Sequence, residues 1–318
     1  MSKQEWTDSE SKRLVKMYNK GVGWLEISKV LDRTPDSCRM YYRNHIGETN
    51  KSGKLKTPEY ISSNTPRVGI FDVETLPLIS YNWSLWDQNI GIEQVVEPTG
   101  LLSWSGKFLN EPEMYSDILT PKEAKARDDK RISKSCWDFL DRCDVVIGHN
   151  LIDFDSKVAN TFFLKHGLPP IKYVSIDTLK IARRTFRFDS NKLDYLNRRL
   201  GLRQKIENEG FRLWRECSEG DADALKRMQD YNIGDIYALE ELYYILRPFV
   251  KHMNIALYSE ADTEMCPVCG CEKLESNGYY YTPAGMWESV RCTDCKCVSR
   301  RKKNLLDKDK KKSLLINS

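Results

Sequence analysis

The sequence predicts a mixed α/β sheet flanked by helices, with a small three-helix domain before it and a cysteine-bearing hairpin after it. Three observations predict this. Apolar positions recur at helical spacing over the first 46 residues. Two short apolar runs, RVGIFDVET from Arg67 and DVVIGHN from Asp144, read as buried strands among alternating helix and strand signals. Six of the ten cysteines lie between Cys266 and Cys297, a clustering that reads as metal binding in a reducing compartment.

In the first region, Leu14, Met17 and Tyr18 mark one helix. Ile27, Val30 and Leu31 mark a second after the Gly21-Val22-Gly23 turn, and Thr34-Pro35 starts a third through Tyr41 and Tyr42. Trp6, Trp24 and Tyr42 recur at intervals of 18 and are read first as core. A polar stretch without periodicity then forms a linker over 49–66. Strands are expected from Arg67, around Tyr81–Trp86 and over Leu101–Leu109, with a turn at Pro98–Gly100. A helix is expected over Lys122–Cys143, then the second buried strand, then helices near 155–166, 178–186, 191–200 and 222–246. The segment between the cysteine pairs reads as a hairpin, and Arg300–Lys312 as a basic disordered tail.

Of the 318 residues, 40% are hydrophobic and 30% charged, which excludes disorder as the main state. No run approaches a membrane span and the start lacks a signal peptide's apolar stretch, so a soluble, cytoplasmic protein without a membrane partner is expected. The net charge of +4 is unevenly spread. Residues 1–60 hold 12 Lys/Arg against 8 Asp/Glu, residues 266–318 hold 11 against 6, and the middle holds 27 against 32. The basic ends suit a polyanion and the acidic centre suits cations.

The acids are patterned. Asp72 and Glu74 lie two apart on an apolar strand, so both carboxylates leave the same face and repel unless a cation joins them. Asn150 and Asp155 bracket Phe154 after the second buried strand, where Asp153 is expected as a helix N-cap. Tyr231 and Asp235, four apart, share one face of a long helix. Each signal is weak alone, and a lone D-x-E is more often a pair of surface acids.

In this order the three sites strongly resemble the DEDD family of 3′→5′ exonucleases, which have a ribonuclease H-like fold. That family carries Asp-x-Glu, then Asn-x(2–3)-Phe/Tyr-Asp, then Tyr-x-x-x-Asp in its tyrosine branch. The histidine branch would need a histidine where this chain has Asp230. The resemblance covers roughly residues 67–248, and Asp177–Leu202 is similar, more loosely, to stand-alone, often phage-encoded members, which would place the protein in a host's cytoplasm. The tryptophans at 83, 86 and 104 depart from the shortest members. The resemblance implies that Asp72, Glu74, Asp155 and Asp235 hold two Mg²⁺ or Mn²⁺ ions. It also implies that Tyr231 orients the attacking water and that Asn150 supports the site or the terminal nucleotide. Hard cations need oxygen ligands, and two of them about 3.5–4 Å apart can activate water and stabilise a leaving 3′ oxygen.

Cys266-x-x-Cys269 and Cys292-x-x-Cys295 are separated by 22 residues. Thiolates so spaced can reach one tetrahedral Zn²⁺, and the segment resembles a zinc ribbon with a structural ion. Cys271 and Cys297 leave the ligand choice open, and Cys38, Cys136, Cys143 and Cys217 read as buried or spectator thiols. Residues 4–46 resemble a Myb/SANT-type helix-turn-helix, with Tyr42 in place of the usual third tryptophan. That resemblance implies that Arg39 and Arg43, with Asp36, Ser37 and Asn44, face the DNA major groove. SANT versions bind proteins instead, so a protein partner is the alternative there.

The expected organisation is a helix-turn-helix at 1–48, the linker, a ribonuclease H-like domain at 67–250, a zinc ribbon at 262–302 and the tail at 303–318. The expected function is a metal-dependent 3′→5′ exonuclease acting on a DNA 3′ end. The alternatives are an RNA-trimming exonuclease and a non-catalytic DNA-binding or regulatory protein with a nuclease-like core.

Overall fold

The computed structural model describes residues 6–18, 24–34, 37–38, 41–42, 66–205, 209–260, 262–283 and 285–315. The chain divides into two compact units, Met1–Ser63 and Asn64–Ser318.

In the first unit, helix α1 (Asp8–Tyr18) begins at a capping box. Thr7 Oγ1 accepts from Glu10 N at 3.3 Å and Thr7 N donates to the Glu10 carboxylate at 2.8 Å. Helix α2 (Trp24–Leu31) follows. Leu14, Ile27, Leu31 and Cys38 are buried together, with Trp6, Met17, Tyr41 and Tyr42 packed on them. Trp6 stacks on Tyr41 at 4.0 Å, and Arg33 lies 4.3 Å over Trp6 while pairing with Glu10. Val30, expected on the apolar face, is half exposed instead. Of the expected third helix only residues 37–38 and 41–42 are described, and they are helical; the Trp24 side chain, Asp36, Arg39, Arg43, Asn44 and the linker before Pro66 lie outside the described residues.

The second unit is built on a five-stranded sheet. Its strands are β1 (Val68–Leu76), β4 (Gly100–Phe108), β5 (Met114–Ile118), β6 (Val145–Gly148) and β7 (Val174–Asp177). The order is β5-β4-β1-β6-β7, with β4 and β5 antiparallel to β1, and β6 and β7 parallel to it. A short hairpin, β2 (Ile79–Ser80) with β3 (Val95–Glu97), interrupts β1 and β4. The expected strand at Tyr81–Trp86 is instead its exposed loop, in which Trp83 is 95% accessible. The aromatic spacing resembled a strand, but the loop's bonds are local, such as Ser84 Oγ to Trp86 O at 3.3 Å.

The helices are α3 (Pro121–Ala126), α4 (Lys130–Leu140), α5 (Asp155–Lys165), α6 (Thr178–Thr185), α7 (Leu193–Leu200), α8 (Phe211–Ser218) and α9 (Ala222–Leu246). The single helix expected over 122–143 is two, because Arg127 turns left-handed (φ 50°) and its guanidinium donates to the carbonyls of Pro77 and Pro98. Strands β5 and β7 and helix α8 are additions to the expected elements; α8 is short but amphipathic, with Leu213 and Cys217 buried four apart. Gly106 is required by packing: a Cβ there would lie 2.5 Å from the Phe139 ring of α4. No helix among the described residues is long and apolar enough to cross a membrane.

A second sheet has order β10-β9-β8, from β8 (Leu274–Thr282), β9 (Gly285–Cys292) and β10 (Val298–Asn304). The expected disordered tail is therefore partly a strand, followed by the short helix α10 (Lys308–Ser313) capped by Asp307. Two adjoining buried clusters line the unit. One holds Phe71, Trp104, Phe139 and Leu213; the other joins Ile147, Leu239 and Tyr243 to Cys266, Cys292, Cys295 and Cys297.

Candidate functional site

Strands β1 and β6 are parallel neighbours, so the loops after them open on the same edge of the sheet. Asp72 and Glu74 sit near the end of β1, opposite Ser105 and Ser103 of β4. The loop after β6 carries Asn150 in a left-handed conformation (φ 73°). Asp177 holds that loop, accepting from Asn150 N and Ile152 N at 3.1 Å each while capping α6 through Leu179 N and Lys180 N. Asp155 opens α5, and its carboxylate accepts from Val73 N of β1 at 3.2 Å. Asp153 does not cap the helix; it is exposed and pairs with Lys157 and Lys180. Helix α9 brings Tyr231 and Asp235 to the same place.

Carboxylate oxygens of Asp72, Glu74 and Asp235 lie within 4.8 Å of one another. Asp155 stands beside them, close enough for its charge to act on Asp72. Asp155 and Asp235 are 2% and 1% exposed, respectively. Four acids from three distant segments thus come together, Asp155 and Asp235 buried and Asp72 and Glu74 half-buried. Burial and the charges of Asp155, Asp235 and Glu74 push Asp72 well above the ordinary carboxylate range. Burial, then the Asp235 charge, raises Glu74 to about 7, and burial raises Asp155 to about 7.

Three side chains that hold the acids were not singled out in the sequence. Asn232 accepts from Ser103 Oγ at 2.9 Å and donates to Asp72 Oδ2 at 2.6 Å, fixing that carboxylate. Trp214 of α8 donates to Glu74 Oε2 at 3.3 Å and meets the Tyr231 ring edge-on at 6.0 Å. Lys205 lies 2.5 Å from Asp235 Oδ2 and 3.2 Å from the Tyr231 hydroxyl. Burial works to lower the Lys205 ammonium, but Asp235, Tyr231 and Asp72 hold it above its usual value. Burial and then Asp235 raise the Tyr231 phenol to about 12. The sequence signal for Asn232 was a polar residue beside Tyr231 on the helix; for Lys205, in a loop before an unexpected helix, there was none.

Asp235 Oδ1 is buried and has no hydrogen-bond partner among the described residues. An ionised oxygen so placed needs a cation, and oxygen donors at this spacing fit hard divalent ions. Beside the acids, between Asn150 and Lys205, lies a cleft of about 610 Å³, a volume suited to a small ligand. His149 forms part of its wall. Burial lowers this imidazole to about 4, and its Nε2 lies 2.9 Å from the Asn191 carbonyl.

The electrostatics give a signed prediction. Glu74 and Asp155 ionise near 7 in the folded chain against ordinary values of 4.5 and 3.8. A carboxyl raised by folding stabilises the fold at acid pH, and that contribution is lost as pH rises through the folded value. Relative to a Glu74→Gln variant, the metal-free protein should therefore lose Tm between about pH 4 and 7. Mn²⁺ should raise Tm more at about pH 7.5 than at about pH 5.5. Calorimetry showing the same Mn²⁺ effect at both pH values would contradict this.

The cysteines form the second cluster. Sulfurs of Cys266, Cys269, Cys292 and Cys295 lie within 4.8 Å of one another, with Cys266–Cys295 and Cys269–Cys292 both at 3.5 Å. A tetrahedral ion with metal–sulfur bonds of about 2.3 Å needs sulfurs roughly 3.8 Å apart, so the four fit one ion. Cys271 and Cys297 close the knuckles with their backbones: their carbonyls accept from Cys266 N at 2.8 Å and Cys292 N at 2.9 Å. The Cys271 thiol turns toward Thr293, whereas that of Cys297 lies against both Cys266 and Ser299. Cys38, Cys136, Cys143 and Cys217 are buried apart from this cluster.

Residues 110–247 match the RNase_H superfamily, a segment that includes Asp155, Tyr231 and Asp235 and begins after Asp72 and Glu74. Residues 3–46 match the Myb-like DNA-binding domain. Among solved structures, the chain is similar to the family B DNA polymerase from the hyperthermophilic archaeon Pyrobaculum calidifontis, at 15% identity and a TM-score of 0.42. That match covers 62% of this chain and 27% of the polymerase. No curated protein matches the chain. The chain thus has an RNase H-like fold, with a Myb-like region before it.

Proposed function

We propose that the chain is a divalent-metal-dependent 3′→5′ exonuclease that acts on DNA and releases nucleoside 5′-monophosphates. The observation that carries the reading is the convergence of Asp72, Glu74 and Asp235 beside the buried Asp155, with Asp235 Oδ1 left without a hydrogen-bond partner among the described residues. These four carboxylates would hold two Mg²⁺ or Mn²⁺ ions. Such ions supply an activated water and charge stabilisation for the leaving oxygen. Tyr231, still protonated at neutral pH, holds the water through its hydroxyl. Lys205 places a cation where a phosphate oxygen would sit, and Asn232 keeps Asp72 aligned. Asn150 borders the cleft that takes the terminal nucleotide. The match of residues 3–46 to a DNA-binding domain supports DNA over RNA, with Arg39 and Arg43 as major-groove contacts. One Zn²⁺ on Cys266, Cys269, Cys292 and Cys295 would be structural, because sulfur fills all four places.

The direct test is a 5′-labelled single strand incubated with the full chain and Mn²⁺. A ladder shortening from the 3′ end supports the reading; internal cuts or removal of the label as a mononucleotide overturn it. Tyr231→Phe should cost about ten- to a hundredfold in kcat, less than loss of a carboxylate, because it removes an orienting hydroxyl and leaves the ligands in place. Steady-state kinetics of Tyr231→Phe beside Asp235→Asn decides this, and equal losses would assign Tyr231 a different part.

A further inference from the structure

We propose that one face of the β8–β9–β10 sheet is a stacking platform for single-stranded nucleic acid, separate from the acid cluster. Tyr280 and Trp287 are directly opposite across β8 and β9, so their rings share that face. Arg300 of β10 pairs with Ser289, and its guanidinium lies 4.2 Å from the Trp287 ring centre and 5.8 Å from that of Tyr280. Trp287 is buried, 8% exposed, and backs the Arg300 guanidinium, while Tyr280 keeps 46% of its area accessible beside it, so the accessible surface is one ring and one planar cation. Arg291, exposed on the same face, reaches Asn277 at 3.1 Å.

The charges select the occupant. On β10, Arg301 is committed to Glu264 and Glu288. Among the described residues, Arg300, Lys302 and Lys303 have no carboxylate partner. Residues 266–318 carry a net +5, from 11 Lys/Arg less 6 Asp/Glu. An exposed ring and an exposed guanidinium plane beside unpaired cations suit a strand whose bases lie on Tyr280 and Arg300 and whose phosphates meet the cations. A duplex hides its base faces, so the platform needs unpaired bases. The hairpin loop bearing Trp83 and Trp86 is as aromatic, but from Leu76 to Gly106 it holds three acids and no Lys or Arg. Its charge disfavours the same ligand.

The proposal does not depend on hydrolysis. It is tested with the full chain in buffer without Mg²⁺ or Mn²⁺, by anisotropy with an oligothymidylate of about twelve nucleotides and an abasic strand of equal length. Tyr280→Ala with Arg300→Lys keeps the charge but removes a ring and the stacking plane. Oligothymidylate affinity should fall about ten- to a hundredfold while abasic affinity changes less than about twofold. Tyr281→Ala, on the opposite face with Met286, should leave both unchanged. Unchanged metal content of the cysteine site shows that the variant keeps its fold. If the double variant retains the full preference for bases, or if wild type binds both strands equally, the platform is wrong and the face is left to a protein partner. Loss of hydrolysis without loss of this binding would fail the exonuclease reading alone.

Discussion

Replacing Asp72 with asparagine is expected to slow phosphodiester hydrolysis by roughly a thousandfold or more, about 4 kcal/mol of transition-state stabilisation. The same change should make the metal-free protein more stable near neutral pH. Both effects follow from one feature. Asp72 is held above the ordinary carboxylate range by burial and by Asp155, Asp235 and Glu74, so its charge is unfavourable until a cation arrives. Asparagine keeps the shape and can still meet Asn232, whereas alanine would leave the Asn232 amide without its acceptor. Asp235→Asn should be as inactive, but less stabilising, because Lys205 already neutralises Asp235 at 2.5 Å. Near wild-type turnover in either variant, with Mg²⁺ or Mn²⁺ present, would contradict the catalytic assignment.

Changing Cys266 and Cys292 together to serine is expected to abolish zinc binding and lower Tm by about 10 °C or more. Structural zinc sites contribute binding free energy directly to folding, and in domains of this size about 1 kcal/mol moves Tm by roughly 2–4 °C. The loss should reach beyond the cysteine cluster. Cys266, Cys292 and Cys295 are buried with Leu239, Leu242 and Tyr243 of α9, the helix that carries Tyr231 and Asp235. Elemental analysis should find one zinc per chain in wild type dialysed free of Mg²⁺ and Mn²⁺, and none in the variant. Zinc retained by the variant would move the ligand set elsewhere, and its absence from wild type would remove the site.

Much of the frame was legible because its signals are local. The apolar runs of β1 and β6 and the 3.6-residue period of α9 are written in consecutive residues. So are the two-residue spacing of Asp72 and Glu74 and the four-residue spacing of Tyr231 and Asp235. What was not legible depends on contacts distant in sequence. Strand β7 is only four residues and takes its register from β6. Helix α8 shows its purpose only when Trp214 is seen donating to Glu74, 140 residues away. Lys205 carries no motif, and its place is set by the carboxylates it neutralises. The loop at Tyr81–Trp86 read as a strand because aromatic residues favour strands when half buried, and here nothing covers them. The tail after Arg300 read as disordered from its charge, yet β9 supplies the pairing that makes Val298–Asn304 a strand.

The central claim is that the clustered acids form a hydrolytic centre working from a 3′ end. Its most direct measurement is the identity of the first product released from 3′-labelled single-stranded DNA and RNA, side by side, with Mn²⁺ and with Asp235→Asn as control. The account predicts labelled nucleoside 5′-monophosphate from the first turnover, faster from DNA than from RNA, and none from the variant. Labelled oligonucleotides as first products, 3′-phosphate ends, or equal release by Asp235→Asn would contradict it.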